Sequence, residues 1–450
     1  MVKATEQISQ FITDFRFEDV PADSVARAKE LMLDTVGVTL AGSVQPLGQM
    51  IRDYTQEVGS KPECAVIGGK FRTSAPDAAL TNGTLSHAID YDDMAWGAHS
   101  GPCLVPVVLA LGEKLKFSGK QVLEAMLTGL ETWGALMAGS DNTASSFFIH
   151  ITAMYGCLAA AASASRMLGL DVDQTRSALG IATSQISGVR DNMGTMVKSF
   201  HAGLVARAGV TAAMLAKKGY EGERNVIESP RGWGASYMGV GRFDPEKMVK
   251  DLGKTFHTAQ AINFKRYPCC WGQYRLIEAT FHLMRENNIS YKDIATITID
   301  HAFNNAGPLL FSKPDTALRG KFSAQYTIAA AILDGKVDID TYKDQRYPDP
   351  KLDEAMDKVK VVIHTDWPIE RPGPPAPVTI LRKDGRAFTH QATVLPGTPA
   401  MPFSKEEFYG KYEKCAGLSL SSEKVKSSLE MLQKFEDVAD ITELADIIIG

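Results

Sequence analysis

Small side chains dominate the chain between residues 150 and 218, and this feature limits the folds open to it. The run CLAAAASASRMLGL (157–170) carries apolar and small residues at helical spacing, and Gly169 marks its end, so we predict a helix over 150–169. Further helices are predicted over 171–184 and 202–218. Because alanine and glycine let helices approach closely, these segments predict a helical bundle with several fully buried members.

The rest of the first 260 residues is also predominantly helical in character. Helices are predicted over 5–15, from Pro21 to a stop at Gly42, and over 47–57, 75–90, 104–116 and 119–138, with a short extended piece at 64–69 and a loop at 141–149. Strands and helices do not alternate here, and no G-x-G-x-x-G follows a strand, which argues against a nucleotide-binding fold.

The pattern changes near residue 260, where β-branched residues begin to alternate. Strands are predicted over 294–301 and 358–364, and a hairpin over 378–394 around an Asp-Gly turn, with helices over 271–287 and 323–334 and a Pro-rich link at 370–377. Helices over 404–416 and 421–447 then return the chain to the bundle. We therefore predict a mainly α protein with a helical domain over 1–263 and 400–450 and a smaller α+β domain over 264–399.

Charge and cysteine usage exclude several classes of function. A net charge of −5 over 450 residues provides no basic field for nucleic acid or for a membrane surface. The six cysteines lack C-x-x-C spacing, which favours free thiols in a reducing compartment. The N-terminal segment lacks a signal-peptide core, and no run of 18 apolar residues occurs. These features predict a cytoplasmic protein without nucleic-acid or membrane partners.

The stretch 82–102 concentrates titratable groups in otherwise apolar surroundings. Five of them fall within thirteen residues, namely His87, Asp90, Asp92, Asp93 and His99. If the helix continues through residue 90, His87 and Asp90 lie on one face, where a carboxylate makes an imidazole more basic. Three interpretations remain open: an acid–base site, a divalent metal site, and a structural role in which Asp92 and Asp93 cap helices and His87 is a core residue.

Three further stretches carry candidate groups. His150 heads the Ala-rich helix and is a catalytic group, a polar cap or a core residue. Lys198 precedes a small-residue helix that contains Arg207, and it is either a surface lysine or an anion-binding group near a helix N-terminus. Basic and aromatic residues at 264–274 lie at the predicted domain junction, which suits an anionic ligand in a cleft.

Several long motifs, in order along nearly the whole chain, resemble those of the MmgE/PrpD family of 2-methylcitrate dehydratases, cis-aconitate decarboxylases and iminodisuccinate epimerases. The motifs run from Asp34 to Gly42, from Asn82 to Asp93 (the family's N-G-x-x-x-H-x-x-D-[FY]-D-D), from His150 through the following alanines, from Lys198 to Gly209, and from Lys265 to Cys270. The resemblance implies a helical domain with an α+β lid, a homodimer, and an active site between domain and lid that needs no cofactor and no metal.

The resemblance also implies site residues. Those that match the family's active-site positions are Asp90, His99, His150 and Lys198, and Tyr326, in Phe322-Ser-Ala-Gln-Tyr326, resembles the lid tyrosine. Two places depart from the family pattern. Met94 replaces a threonine, and Cys270 and Tyr274 occupy places where the lid motif often supplies histidine. These three residues are candidates for substrate contacts that differ from those of the family's best-known members.

The implied activity is that of a lyase acting on a small di- or tricarboxylic acid by proton removal next to a carboxylate. Lys198, Lys265 and Arg207 would hold substrate carboxylates. Asp90 with His99 or His150 would move protons, and Tyr326 would close the site. Two alternatives remain open: an epimerase of an amino- or imino-dicarboxylate such as iminodisuccinate, and a degenerate protein that binds carboxylates without turning them over.

Overall fold

The structure, a computed structural model, describes residues 2–141, 148–302, 309–346, 349–367 and 375–450. The chain divides into two compact units. Unit 1 comprises Met1–Asn192, Met196–Phe264 and Phe403–Gly450, and unit 2 comprises Met193–Thr195 and Lys265–Pro402. Most of the predicted loop at 141–149 and residues 370–374 of the predicted Pro-rich link lie outside the described residues.

Helices form most of unit 1, as predicted. Up to residue 264 they are α1 (Ala4–Asp14), α2 (Ala22–Ser43), α3 (Pro46–Val58), α4 (Ala75–Ser86), α5 (Gly101–Leu115), α6 (Gly119–Ala138), α7 (Ile151–Leu168), α8 (Val172–Thr183), α9 (Val197–Lys217), α10 (Pro245–Val249) and α11 (Thr258–Ala261). Two short antiparallel pairs join β1 (Cys64–Ala65) to β2 (Arg72–Thr73) and β3 (Met94–Ala95) to β4 (Ile262–Asn263). The mainly α class predicted from the sequence is confirmed.

Glycine lets α4 and α9 touch through their backbones. A Cβ atom at Gly83 would lie 2.9 Å from Cα of Gly203, and one at Gly203 would lie 2.2 Å from the carbonyl oxygen of Leu80. Any larger residue at these positions would push the helices apart. The crossing brings the C-terminal end of α4 close to the N-terminal end of α9.

Two helix boundaries differ from prediction at that crossing. The predicted helix over 75–90 ends at Ser86, so His87 and Asp90 do not share a helix face. The helix predicted from residue 202 begins at Val197 and therefore includes Lys198 in its first turn. Its N-cap residue, Met196, makes no side-chain capping bond, so the sequence carries no capping signal for this start.

Unit 2 is an α+β unit built on one four-stranded sheet. Its helices and strands are α12 (Tyr274–Glu286), β5 (Ile294–His301), α13 (Ala317–Gly320), α14 (Ala324–Asp334), α15 (Pro350–Asp357), β6 (Val359–Ile363), β7 (Val378–Arg382) and β8 (Ala387–His390). The strand order is β6-β5-β7-β8, with β5 parallel to β6 and antiparallel to β7. The predicted strands and the β7–β8 hairpin are confirmed.

The chain then returns to unit 1 in three helices, α16 (Lys405–Ala416), α17 (Ser422–Gln433) and α18 (Thr442–Ile448). The continuous helical stretch predicted over 421–447 is wrong, because a 3₁₀ turn over Phe435–Asp437 separates α17 from α18. Phe435 is fully buried there, and its carbonyl lies against Gly119, so packing decides the break. None of the helices in the described ranges has both the length and the apolar character that crossing a membrane requires.

Candidate active site

The turn after α4 carries the first two groups of the site. His87 is the C-cap residue of α4, and the chain reverses so that Asp90 adopts φ +54°. This left-handed conformation is strained for a residue with a side chain, although aspartate tolerates it better than most. The hydroxyl of Ser199 donates to the carbonyl of His87 at 2.9 Å, which ties the turn to α9. The strained turn therefore holds two titratable side chains at a packed helix end.

Lys198 joins these groups into one hydrogen-bonded chain. Its Nζ lies 2.7 Å from Nε2 of His87 and donates to Oδ1 of Asp90 at 3.1 Å. On the other side of the ring, Nδ1 of His87 lies 2.9 Å from Oδ1 of Asp92. Because an ammonium group only donates, Nε2 of His87 accepts from Lys198 and Nδ1 carries the hydrogen that Asp92 accepts. The chain Asp92–His87–Lys198–Asp90 thus alternates donors and acceptors throughout.

Asp92 also faces a second histidine. Nδ1 of His99 lies 2.7 Å from Oδ2 of Asp92 and 2.8 Å from the backbone carbonyl oxygen of Asp93. Both neighbours are acceptors, so Nδ1 of His99 carries a hydrogen and Nε2 is left as the basic nitrogen. Asp92 therefore orients two imidazole rings at once, which is a positioning role rather than helix capping.

Asp93 has the capping role that the structural interpretation gave to both carboxylates. Its oxygens accept from the backbone N–H and the hydroxyl of Ser100 and from the N–H of Gly101, at the start of α5. Burial and the adjacent charge of Asp92 raise the pKa of Asp93 to about 7, although these hydrogen bonds oppose the shift. The structural interpretation therefore holds for Asp93.

Two more histidines complete the cluster. The ring of His150, the residue before α7, stacks on His87 with centroids 5.9 Å apart and lies 6.4 Å from the ring of His99. Nδ1 of His150 is 3.4 Å from Nδ1 of His201, one turn after Lys198 on α9. His150 makes no side-chain capping bond to α7, so the interpretation of His150 as a polar cap is wrong. Four imidazoles and the Lys198 ammonium thus share one buried region of unit 1.

Burial and the lysine charge keep the imidazoles of His87 and His150 neutral. Burial lowers the pKa of His87 to about 3, against the attraction of the Asp92 carboxylate. Burial and the charge of Lys198 hold the pKa of His150 well below its usual range. Burial alone would raise the pKa of Asp92, but the imidazoles of His87 and His99 outweigh it and hold that pKa well below its usual range. The cluster therefore combines a charged carboxylate, an ammonium and neutral proton acceptors.

We expect His201 to make the free energy of unfolding depend on pH. Burial and the Lys198 charge lower its folded pKa to about 4 from an ordinary value of 6.5. As pH falls, the unfolded state binds the proton first, so stability is full above about pH 6.5 and declines towards pH 4 by up to about 3 kcal/mol. Urea unfolding of His201→Gln at several pH values should show a shallower decline, and an unchanged slope would contradict this account.

The arrangement suits proton transfer next to a negatively charged substrate group. A buried ammonium stabilises charge that develops on a carboxylate or enolate more strongly than it would in water. A neutral imidazole of lowered pKa accepts a proton and returns it readily. Lys198, 8% exposed in its side chain, is not the surface lysine of the alternative interpretation.

A metal ion is the main competitor, because two sets of ligand atoms converge here. His87, His99 and His150 form one set, and His87, Asp90, Asp92 and His99 form the other, each with ligand atoms within 4.8 Å of one another. Both sets include His87, whose two nitrogens already contact Asp92 and Lys198. A dication bound to Nε2 of His87 would replace or face the ammonium, so the donor set fits an organic acid–base site better than a metal centre.

The remaining predicted residues of unit 1 lie in more open surroundings. Met94 is half-buried in β3, where it pairs with Asn263 of β4. The side chain of Arg207 is 43% exposed, and its nearest carboxylate oxygen belongs to Asp77 at 3.7 Å. Among the described residues, neither makes a hydrogen bond or ion pair with the histidine cluster, and their roles as substrate-binding groups stay predictions.

Two of the predicted residues of unit 2, Tyr326 and Tyr274, bond to the backbone of that unit. Tyr326 is fully buried in α14, and its hydroxyl donates to the carbonyl of Thr341 at 2.6 Å. The hydroxyl of Tyr274 donates to the carbonyl of Tyr267 at 2.5 Å. Lys265 is fully buried, and Cys270 is half-buried. Their catalytic or binding roles stay predictions, and the hydroxyl proton of Tyr326 is engaged by the backbone.

Sequence reasoning left the roles of two members of the cluster open and did not identify a third. His87 and Asp92 were compatible with an acid–base, a metal or a structural role, and nothing in the pattern singled out His201. The segment His87-Ala-Ile-Asp90-Tyr-Asp92 does show that these groups are close in sequence. The predicted helix through residue 90, however, put His87 and Asp90 on one helix face, and α4 ends before them at Ser86. His201 lies three residues after Lys198, a spacing that predicts a shared face once α9 is known to include both.

Comparison with known proteins relates both parts of the chain to one family. The family model for the MmgE/PrpD N-terminal domain matches residues 6–246, and the model for the MmgE/PrpD C-terminal domain matches residues 267–437. Cis-aconitate decarboxylase of Mus musculus is 27% identical over 461 residues, which cover 99% of this chain and 93% of the mouse protein.

Two further relatives carry related names. The cis-aconitate decarboxylase-like protein oryM of Aspergillus oryzae is 29% identical over 474 residues, covering 99% of this chain and 97% of the fungal protein. The mitochondrial 2-methylcitrate dehydratase of Yarrowia lipolytica is 25% identical over 395 residues, covering 80% of this chain and 72% of the yeast protein. Decarboxylation and dehydration are both lyase reactions.

Proposed function

This chain belongs to the MmgE/PrpD family, and from that premise we propose that it is a lyase that removes CO₂ or water from a small di- or tricarboxylic acid by side-chain chemistry alone. The proposed substrates are of the cis-aconitate, citrate or 2-methylcitrate type, which the names of its relatives suggest. The observation that carries the proposal is the buried chain Asp92–His87–Lys198–Asp90 beside His99 and His150.

Dehydration and decarboxylation both require a group that transfers a proton and a cation that stabilises negative charge. In a dehydration, a base removes the proton next to a carboxylate, the C–O bond breaks, and an acid protonates the leaving hydroxide. In a decarboxylation, the C–C bond to CO₂ breaks, and a proton replaces CO₂ after the electron pair has moved towards a neighbouring carboxylate. Each path puts extra negative charge on a carboxylate, which Lys198 is suited to stabilise. A neutral imidazole is suited to move the proton.

We assign the proton transfers to His99 and His150, with Asp90 as the alternative base. Nε2 of His99 is left basic by the two acceptors at its Nδ1. The ring of His150 stacks on that of His87, and burial keeps it neutral. Lys265, Tyr326, Cys270, Tyr274, Met94 and Arg207 are proposed to contact substrate, supported by the positions that they hold in the family-like motifs.

We further propose that the protein is a homodimer, as the family resemblance implies, and that it is cytoplasmic, as its cysteine usage suggests. Met50, Tyr54 and Val58 form an exposed apolar row at four-residue spacing on α3, a kind of surface that often pairs with a second copy. All six cysteines are free thiols, which suits a reducing compartment. Light scattering coupled to size-exclusion chromatography tests the dimer directly.

We expect the purified protein to convert at least one of cis-aconitate, citrate and 2-methylcitrate when each is followed by proton NMR in deuterated water. New vinyl signals would identify a lyase product, and deuterium in that product would report proton transfer by the enzyme. Deuterium exchange into iminodisuccinate without net product would instead identify the epimerase. Binding of these acids without turnover would identify a degenerate carboxylate-binding protein.

The same assay distinguishes the metal alternative. Turnover is expected to be unchanged after treatment with EDTA and removal of the chelator, because the acid–base groups belong to the chain itself. Loss of turnover with EDTA, and its return with one divalent ion, would contradict catalysis by side chains alone and would assign the ion to one of the two ligand sets.

A further inference from the structure

A buried lysine far along the chain reaches the turn that carries Asp90. Lys411 lies on α16, and its Nζ donates to the backbone carbonyl of Tyr91 at 2.8 Å. The same ammonium lies 4.0 Å from the centroid of the Tyr91 ring. Tyr91 stands between Asp90 and Asp92, so Lys411 holds the peptide that separates two members of the hydrogen-bonded chain.

Lys411 is itself held by a buried carboxylate. Its Nζ lies 2.6 Å from Oδ1 of Asp34, and both side chains are almost completely buried. Asp34 belongs to α2, so the pair joins α2 to α16 inside unit 1. The ammonium thus contacts a carboxylate, a backbone carbonyl and an aromatic face, which are suitable partners for a lysine away from water.

The backbone conformation of the turn explains why the bond from Lys411 to the carbonyl of Tyr91 affects the site. Asp90 keeps the left-handed conformation at φ +54°, which persists only where surrounding contacts impose it. The carbonyl of Tyr91 belongs to the very next residue, so anchoring it restricts the rotation of the peptides on both sides. Small rotations there would move Oδ1 of Asp90 away from Lys198 and Oδ1 of Asp92 away from His87.

We propose that Lys411, paired with Asp34, is a positioning residue that maintains the geometry of the Asp90 turn for catalysis. The C-terminal helices, which supply no member of the histidine cluster, thereby become part of the catalytic framework. Asp34 is likewise a positioning residue, because it compensates the charge of the ammonium that holds Tyr91. This inference rests on the proposed function only where turnover is the measured quantity.

Three variants separate positioning from stability. Lys411→Met alone leaves Asp34 buried without its cation and is expected to unfold more easily. The double variant Asp34→Asn with Lys411→Met removes both charges, so no uncompensated charge stays buried and the protein should fold. The bond to the carbonyl of Tyr91 is still absent in this variant. Lys414→Met, an exposed lysine one turn further along α16, is the matched control.

In the double variant we expect an unfolding midpoint close to that of the wild type, a kcat lowered about 10- to 100-fold, and a KM changed less than about threefold. Amide hydrogen exchange in the peptide over residues 87–93 should become about tenfold faster. Lys414→Met should match the wild type in every measurement. A double variant with wild-type kcat and wild-type exchange would overturn the inference and reduce Lys411 to a structural residue.

The exchange measurement does not require a substrate. If the wild type converts none of the tested acids, the proposed function fails, while faster exchange over residues 87–93 in the double variant still supports the anchoring of the turn. If the wild type is active and the double variant loses stability but keeps its exchange pattern and kcat, the inference fails while the proposed function stands.

Discussion

Replacing Lys198 by methionine is expected to lower kcat/KM by about 10³-fold or more, the largest effect that we expect from a single substitution. The ammonium is the cation of the hydrogen-bonded chain, with 2.7 Å to His87 and 3.1 Å to Asp90. Loss of one preorganised charge donor typically costs about 10²–10³-fold, and loss of an acid–base partner a similar factor. Steady-state kinetics on the substrate found by NMR measures the effect.

Stability has to be measured beside activity for this variant. Without the ammonium, Asp90 loses its buried cation, which costs about 3–5 kcal/mol of folding free energy in comparable cases. The double variant Lys198→Met with Asp90→Asn removes both charges and should fold better while staying inactive. Lys218→Met, at the exposed C-terminal end of the same helix, should match the wild type in stability and kcat. Turnover by Lys198→Met within a few-fold of the wild type would mean that Lys198 is not part of the reaction.

Replacing Asp92 by asparagine is expected to lower kcat by about 10³-fold while the fold is retained. The carboxylate accepts from Nδ1 of His87 and faces Nδ1 of His99. An amide has one oxygen, so its NH₂ group must face one of the two rings and favours the other tautomer of that ring. A His87 that carries its hydrogen on Nε2 no longer accepts from Lys198. Wrong tautomers of this kind cost several orders of magnitude in related carboxylate–histidine arrangements.

The adjacent carboxylate provides the control for that experiment. Asp93→Asn should lower stability by about 1 kcal/mol through the loss of capping bonds to α5, with a much smaller effect on kcat. Thermal unfolding and steady-state kinetics on both variants should therefore give opposite patterns. Equal losses of kcat in Asp92→Asn and Asp93→Asn would contradict the division into an orienting and a capping carboxylate.

The sequence predicted correctly those strands and turns whose residue pattern lies within a few consecutive positions. Alternating β-branched residues predicted β5, and the Asp-Gly turn predicted the hairpin of β7 and β8. The end of α4 could not be read in this way, because helical character continues past Ser86. Contacts with α9, including that of Ser199 with the carbonyl of His87, decide where the helix stops.

In the candidate site, too, the residues of one segment could be identified from the sequence, but their contacts with distant residues could not. Residue types alone indicated that His87, Asp90 and Asp92 form a chemical cluster. Their order in the hydrogen-bonded chain depends on Lys198, which is 108 residues away from Asp90 and reaches it only through tertiary packing. Lys411, a further 213 residues along, carried no motif that would connect it to Tyr91.

The glycine contact between α4 and α9 has a consequence for protein design. Because Gly83 and Gly203 meet without side chains, the spacing between the two helix ends is determined by backbone contact and not by adaptable side-chain packing. Grafting His87, Asp90, Asp92 and Lys198 onto another scaffold would therefore require the two glycines as well. Their replacement by alanine in such a graft would separate the lysine from the imidazole, leaving all four titratable groups in place but disconnected.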